Sequence, residues 1–394
     1  MQYWLNILNT LILAELGSMA GDREQLPYKV RELLPVSSKE EVETAKIHYR
    51  SKVNQARKQG ITVPFERLCE ICEYDSTAQR LLELSLAVYT YPVLKEFFRW
   101  LGMKEDITLQ LVTELFFGNE EIPPTYSQLK KSYGLLERIF IPSITGESFL
   151  NHPFVMDDRL YGYLLGQQQP EEEISFFLNP KPDTDKPYLW IHQEQAKELE
   201  EYLRSGITFL QVRGEPGAGK RHLVHYVCDR YGFPLMEVNG KKLGYLELGK
   251  LKAVIRKLKR EILFQESALC IYGIEQESKN TKGWEIPYFL EEVMYPLLET
   301  DYPIFVCSNG ETNLIGETET FVGQIPLESL NRTERYALWK GFSDLWGLRD
   351  LQEEILSSKF RLNAKEIKKV ASILPSDRRE KNSPRKSSIR NVCF

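Results

Sequence analysis

The sequence predicts an α/β protein in which a mostly helical N-terminal region precedes a parallel, five-stranded α/β module. In the first part of the chain, apolar residues recur at i, i+3 and i+4, as over Ala78 to Leu101, and this spacing is typical of amphipathic helices. From Gly206 onwards, short apolar runs alternate with helical segments. Such alternation predicts a parallel sheet that is covered by helices on both faces. At 394 residues, the chain is long enough for two or three domains with separate cores.

The lack of a membrane span and of a signal peptide favours a cytoplasmic protein, and the net charge restricts its partners. Hydrophobic residues make up 42% of the chain and charged residues 27%, which is ordinary for a soluble protein. The net charge of −5 provides no overall attraction to nucleic acid, so binding to DNA or RNA would need a local basic patch. No stretch reaches the roughly 18 apolar residues of a membrane span. We therefore expect neither membrane nor sequence-specific nucleic-acid partners.

The opening segment, residues 1–20, is predicted to be an amphipathic helix. It lacks the basic residues that begin a signal peptide, and Asn6, Asn9 and Glu15 interrupt its apolar run. Further along, Pro123 and Pro124 break the helical pattern.

The segment Ser127 to Ile141 then starts a new helix that ends in a short apolar strand. Helices followed by short strands are compatible with a winged-helix unit, which can read DNA or pack against protein. Because the segment has no clear basic stripe, protein packing is the favoured alternative.

Six cysteines are present, and the sequence around four of them indicates what they do. Cys270 and Cys307 lie in apolar, strand-like runs, where a free cysteine behaves as a small hydrophobic residue. Cys69 and Cys72 form a C-x-x-C pair, a spacing that also occurs in zinc and redox sites. The flanking residues have helical periodicity and no second pair follows, so no metal site is predicted.

The sequence divides into five segments. Polar and proline-rich stretches over Gln167 to Glu173 and Asn179 to Pro187 indicate a linker, and the basic, polar C-terminal end is expected to be disordered. The predicted segments are a helical, winged-helix-like N-terminal domain (1–166), a linker (167–192), a P-loop nucleotide-binding domain (193–328), a partial helical lid (329–375) and the basic tail (376–394).

Within the α/β module, the lead-in helix Gln193 to Arg204 precedes the first strand. Further helices are predicted over Lys250 to Gln265 and Trp284 to Leu298. The predicted strands are Ile207 to Val212, Pro234 to Asn239, Ala268 to Ile274, Pro303 to Asn309 and Phe321 to Leu327.

The strongest functional signal is the motif G-x-x-x-x-G-K over Gly214 to Lys220, which follows a predicted strand and precedes a predicted helix. In that context, backbone N–H groups cradle phosphates and the lysine reaches the terminal ones. A tight turn between a strand and a helix is the alternative. The residues predicted to bind ATP or ADP are Gly214, Glu215, Pro216, Gly217, Ala218, Gly219, Lys220 and Arg221.

Arg221 stands where such loops carry the serine or threonine that holds Mg²⁺. The sequence therefore predicts phosphate binding without a clear place for the metal, and no residue is assigned as a metal ligand.

The loop, a third strand about 50 residues later, a fourth strand ending in Ser-Asn and a helical lid together resemble the AAA+ ATPase module over Ile207 to Leu374. The segments His152 to Gly166 and Ile325 to Phe342 are similar to a bacterial AAA family. Its members carry a winged-helix-like N-terminal domain and tandem ATPase modules, a degenerate one before an active one. Some are associated with contractile injection systems. This chain resembles the N-terminal domain and the degenerate first module.

The resemblance implies two candidate catalytic residues, Asn309 and Glu275. Asn309 matches the polar sensor that orients the attacking water. The third strand should end in Asp-Glu, whereas this chain has Tyr272, Gly273 and Ile274 before Glu275. The segment that should supply an arginine finger, 310–320, contains no arginine or lysine. These departures imply slow hydrolysis with phosphate binding retained.

Three functions remain open from the sequence. The favoured one is a structural or regulatory AAA-like module that joins protein partners in a homo-oligomeric ring and holds ATP or ADP. A second is an active ATPase in which Glu275 and a partner's arginine perform the chemistry. A third is a DNA-binding winged-helix regulator. The basic tail could bind nucleic acid loosely, although a solvated end is favoured.

Overall fold

The computed structural model describes residues 2–21, 23–118, 123–140, 148–179, 189–275, 284–309, 312, 314–348 and 351–374. The chain forms two compact units. The N-terminal unit comprises Met1–Ile174 and Arg256–Gln265, and the sheet unit comprises Ser175–Ile255 and Glu266–Phe394. The predicted basic tail lies outside the described residues, as does most of the proline-rich stretch.

The N-terminal unit is helical throughout its described part. Its helices are α1 (Gln2–Met19), α2 (Tyr28–Leu33), α3 (Lys39–Lys58), α4 (Pro64–Ile71), α5 (Ser76–Thr90), α6 (Leu94–Trp100), α7 (Leu109–Val112), α8 (Tyr126–Leu136), α9 (Asp158–Leu164) and α10 (Glu172–Ser175). The short strand predicted after α8 is not formed over residues 137–140, which make a turn, and residues 141–147 lie outside the described part.

Local sequence explains where several of these helices begin. Ser38 and Glu41 form a reciprocal capping box at the start of α3. Asp75 accepts a hydrogen bond from the Ala78 N–H at the start of α5. Helix α5 is buried on several sides, and helix α1 buries Leu5, Leu8 and Ile12 as its amphipathic pattern predicts.

The C-x-x-C pair lies at the end of α4, and both thiols are free. Burial raises the pKa of the Cys72 thiol to about 12, so this side chain stays protonated and unreactive at neutral pH. Among the described residues, no cluster of three or more His, Cys, Asp or Glu side chains could hold a metal ion. None of the described helices is both long and apolar enough to cross a membrane.

The sheet unit contains five parallel strands in the order β2-β3-β4-β1-β5. The strands are β1 (Phe209–Gly214), β2 (Leu235–Asn239), β3 (Ala268–Tyr272), β4 (Ile304–Ser308) and β5 (Gly323–Leu327), so all five predicted strands are confirmed. The helices are α11 (Gln193–Arg204), α12 (Lys220–Tyr231), α13 (Gly240–Leu243), α14 (Leu248–Gln265), α15 (Ile286–Phe289), α16 (Tyr295–Leu298), α17 (Arg332–Trp346), α18 (Glu353–Lys359) and α19 (Ala364–Ile373).

Helix α14 differs from its sequence-based assignment. The sequence assigns the whole helix to the nucleotide-binding domain, but its C-terminal part, Arg256–Gln265, belongs to the N-terminal unit. Ion pairs account for the assignment of this part of the helix to the N-terminal unit. Arg260 forms ion pairs with Asp157 and Glu171, both from the N-terminal unit.

Strand β1 lies inside the sheet, between β4 and the edge strand β5, and its two faces differ. Leu210 and Val212 pack in the apolar core that contains helices α11 and α12. On the opposite face, the fully buried Gln211 side chain donates to the Ser308 hydroxyl at 2.8 Å and accepts from Gln324 Nε2 at 2.8 Å. Since its amide hydrogen-bonds to both neighbouring strands, Gln211 fixes β1 between β4 and β5.

Candidate phosphate-binding site

The G-x-x-x-x-G-K loop joins β1 to α12 at the carboxyl end of β1, an interior strand of the sheet. Ligands of open α/β sheets bind at this end of the strands. Gly217 and Gly219 have φ angles of +88° and +99°, in the left-handed region that favours glycine. Two glycines of the predicted motif are therefore required by the backbone path of the loop itself.

The loop leaves backbone donors free at the start of α12. The Ala218 N–H donates to the Glu215 carbonyl at 3.1 Å, and the first hydrogen bond of α12 runs from the Leu223 N–H to the Gly219 carbonyl at 3.0 Å. Within the described residues, the N–H groups of Gly219, Lys220 and Arg221 have no acceptor. Unpaired N–H groups at a helix N-terminus, with the positive end of the helix dipole, attract anions.

The Lys220 amine contacts the backbone at the beginning of this loop. It donates to the carbonyl oxygens of Gly214 at 2.5 Å and Glu215 at 3.1 Å. Burial lowers the pKa of Lys220, while nearby Cys307 and Glu275 act in the opposite direction. These hydrogen bonds keep the amine beside the loop. A phosphate oxygen bound there could replace the carbonyl oxygens as its acceptor.

Three residues that the sequence analysis did not identify contact the outer side of the loop. His192 Nε2 donates to the Ala218 carbonyl at 3.0 Å. At the start of α19, the Lys365 N–H donates to the Gly217 carbonyl at 3.1 Å, and Asn363 Nδ2 donates to the Pro216 carbonyl at 3.4 Å. Three consecutive carbonyls of the loop therefore accept hydrogen bonds from residues outside the loop.

Gly217 is packed against Asn363, so we expect Gly217→Ala to destabilise the sheet unit. A Cβ atom at Gly217 would lie 2.5 Å from Asn363 Oδ1, which caps α19 by accepting from the Glu366 N–H. Strain in the left-handed region and a disturbed cap together predict a loss of roughly 2–3 kcal/mol in chemical denaturation.

Gly232→Ala is the matched control for this substitution. Gly232 has a similar φ of +70°, but a Cβ atom added there would have no other atom within 4 Å. It should therefore lose only about 1 kcal/mol from backbone strain. Equal losses in the two variants would show that contact with Asn363 contributes nothing.

Arg221 contacts residues of two neighbouring strands, β2 and β3. Its guanidinium forms a bidentate ion pair with Glu237 of β2, including an Nε–Oε1 contact of 2.8 Å. The guanidinium carbon lies 4.2 Å from the centroid of the Tyr272 ring, at the end of β3. Glu237 was not predicted from the sequence, since it is a single acidic residue in an apolar run.

The Glu237 carboxylate is buried and fully hydrogen-bonded. Besides Arg221, it contacts His225 Nε2 at 3.1 Å and Asn179 Nδ2 at 3.2 Å. Although burial raises the pKa of Glu237, hydrogen bonds from His225 and Arg221 outweigh it and hold the pKa at about 2. The carboxylate therefore stays ionised at any ordinary pH.

The two candidate catalytic residues lie after neighbouring strands of the sheet. Glu275 follows β3 and is partly exposed. Burial lowers the pKa of Lys220, and the charge of Glu275 partly offsets that lowering. Asn309 follows β4, where its Oδ1 atom accepts from the Thr312 N–H at 3.2 Å and the Thr312 hydroxyl at 2.9 Å. The side-chain oxygen of Asn309 is thus engaged within its own loop.

Comparisons with known proteins do not assign the chain to a family. No protein-family model matches the sequence, and no curated protein matches it. The functional interpretation therefore depends on the residues of the site.

Proposed function

We propose that the sheet unit binds the phosphates of ATP or ADP at the loop Gly214–Lys220. The observation that carries this proposal is the set of free N–H groups at the start of α12 beside the Lys220 amine. Backbone donors, a helix N-terminus and a cation converge there, and each favours a phosphate group. The glycine conformations support the same interpretation, because they keep side chains out of the loop.

We further propose that this unit hydrolyses nucleotide slowly. Rapid phosphoryl transfer needs a metal and cationic groups to stabilise charge on the transferred phosphate. Strand β3 ends in Tyr272 where a metal-binding carboxylate is required, and segment 310–320 contains no arginine. Glu275, which follows β3 and acts electrostatically on Lys220, is the carboxylate that we assign to catalysis in the alternative function, an active ATPase.

The proposed biological role is a structural or regulatory one in a protein assembly. The parallel sheet, the loop after β1 and the helices α17–α19 are compatible with the AAA+ module that the sequence resembles. By that resemblance, we propose a homo-oligomeric ring in the cytoplasm with protein partners. The acidic net charge argues against sequence-specific nucleic-acid binding.

Calorimetric titration with ATP and ADP tests the binding proposal. Lys220→Ala should weaken binding about ten- to a hundredfold, because a charge-assisted hydrogen bond to phosphate contributes about 1.5–3 kcal/mol. Lys250→Ala, which removes an exposed lysine of the same unit, should bind as the wild type does. Equal affinities in the wild type and Lys220→Ala would contradict the proposal.

Phosphate release measured on the same proteins tests the proposed slow hydrolysis. We expect the wild type to release phosphate no faster than Lys220→Ala does. Release that depends on Lys220 and is lost in Glu275→Gln would instead support the active ATPase.

A further inference from the structure

The residues beside the loop do not form the Mg²⁺ site that a P-loop usually has. That site needs a hydroxyl directly after the lysine and a carboxylate at the end of a neighbouring strand. Here Arg221 and Tyr272 occupy these positions, and they contact each other as a cation–π pair. The Tyr272 hydroxyl already donates to Asn179 Oδ1 at 2.7 Å. Neither side chain offers an anionic oxygen to a metal ion.

The Glu237 carboxylate, which contacts Arg221, is already occupied by hydrogen bonds from other side chains. Both oxygens of Glu237 accept hydrogen bonds: Oε1 from Arg221 and His225, and Oε2 from Arg221 and Asn179. The Glu237 side chain is only 4% exposed, whereas that of Arg221 is 43% exposed. A ligand that arrives at this side of the loop therefore meets the cation of the pair and not its anion.

Arg221 retains hydrogen-bonding capacity in this arrangement. Its Nε and Nη2 groups bind Glu237, and its Nη1 group has no partner among the described residues. Since Glu237 and Tyr272 fix the plane of the guanidinium, little rotamer freedom is lost when a further hydrogen bond forms.

We propose that this site takes ATP or ADP in the metal-free form, with Arg221 supplying the positive charge that Mg²⁺ supplies in other P-loops. This inference rests on the proposed function and concerns the same loop. Its chemical consequence is that the preferred ligand is a free nucleoside di- or triphosphate anion. Added Mg²⁺ should compete with the protein for the phosphates and should not assist binding.

The test is calorimetric titration of ADP and ATP in excess EDTA and in excess MgCl₂. The wild type should bind at least as tightly in EDTA as in MgCl₂. In EDTA, Arg221→Thr should weaken binding about tenfold or more, as expected for the loss of a charged donor. Arg230→Thr makes the same change at an exposed position of α12, away from the loop, and should bind as the wild type does.

Tighter wild-type binding in MgCl₂, by tenfold or more, would overturn the metal-free inference. This comparison needs no variant, so it holds even where Arg221→Thr fails to fold. If that Mg²⁺-assisted binding is lost in Lys220→Ala, the proposed function stands and only the metal-free inference fails. If Lys220→Ala binds nucleotide as tightly as the wild type does, the proposed function is overturned, and this inference with it.

Discussion

Glu261→Gln should lower the free energy of unfolding of the N-terminal unit by about 3–5 kcal/mol, because it leaves a buried arginine without its counter-charge. Arg159 contacts Glu261 through two hydrogen bonds, Nε–Oε1 at 2.6 Å and Nη2–Oε2 at 2.9 Å. Their side chains are only 6% and 1% exposed, so water cannot replace the lost carboxylate charge. Amide hydrogen exchange in α5 and α9 under denaturant would measure the change for this unit by itself.

Glu70→Gln provides the matched control. Glu70 pairs with Arg57 in the same unit, but both side chains are about half exposed, and such pairs contribute roughly 0–1 kcal/mol. A loss at Glu261 no larger than the loss at Glu70 would show that the buried pair does not stabilise the unit. The double variant Arg159→Met/Glu261→Leu should recover most of the stability, because it removes both buried charges.

Acid should destabilise the sheet unit through Glu237 before the pH reaches about 2. The pKa of Glu237 in the folded protein is about 2, below its ordinary value of 4.5. A lowered pKa means that the ionised carboxylate stabilises the fold above its unfolded pKa, and that this stability is lost as the pH falls towards 2. The difference corresponds to about 3 kcal/mol in the free energy of unfolding.

Denaturation of Glu237→Gln over the same pH series isolates this contribution. The variant should be less stable than the wild type at neutral pH, and its stability should fall less steeply between about pH 5 and pH 2. Glu247→Gln, at an exposed position of the same unit, should keep the wild-type pH dependence. Identical slopes for the wild type and Glu237→Gln would contradict the assigned role of the Arg221–Glu237 pair.

Local pattern was sufficient for much of the sheet unit. Each strand is a short apolar run bounded by polar or turn-forming residues, and burial on both faces of a parallel sheet requires that composition. The turn between β1 and α12 was also predictable, because two of its glycines occupy backbone conformations that other residues rarely adopt. That this turn binds phosphate stays a prediction. The predicted strand after α8 was not formed over residues 137–140, since an apolar run that short is ambiguous between strand and turn.

The sequence by itself therefore determined the parallel α/β architecture, the position of the candidate phosphate loop and the loss of its usual metal-binding residues. Only the tertiary structure decided which partners those residues have. It paired Arg221 with Glu237, brought His192 and Asn363 against the loop, and placed the end of α14 in the N-terminal unit. These contacts join residues far apart in the chain. Periodicity reports which face of a segment is buried, but it carries no information about which distant side chain meets that face.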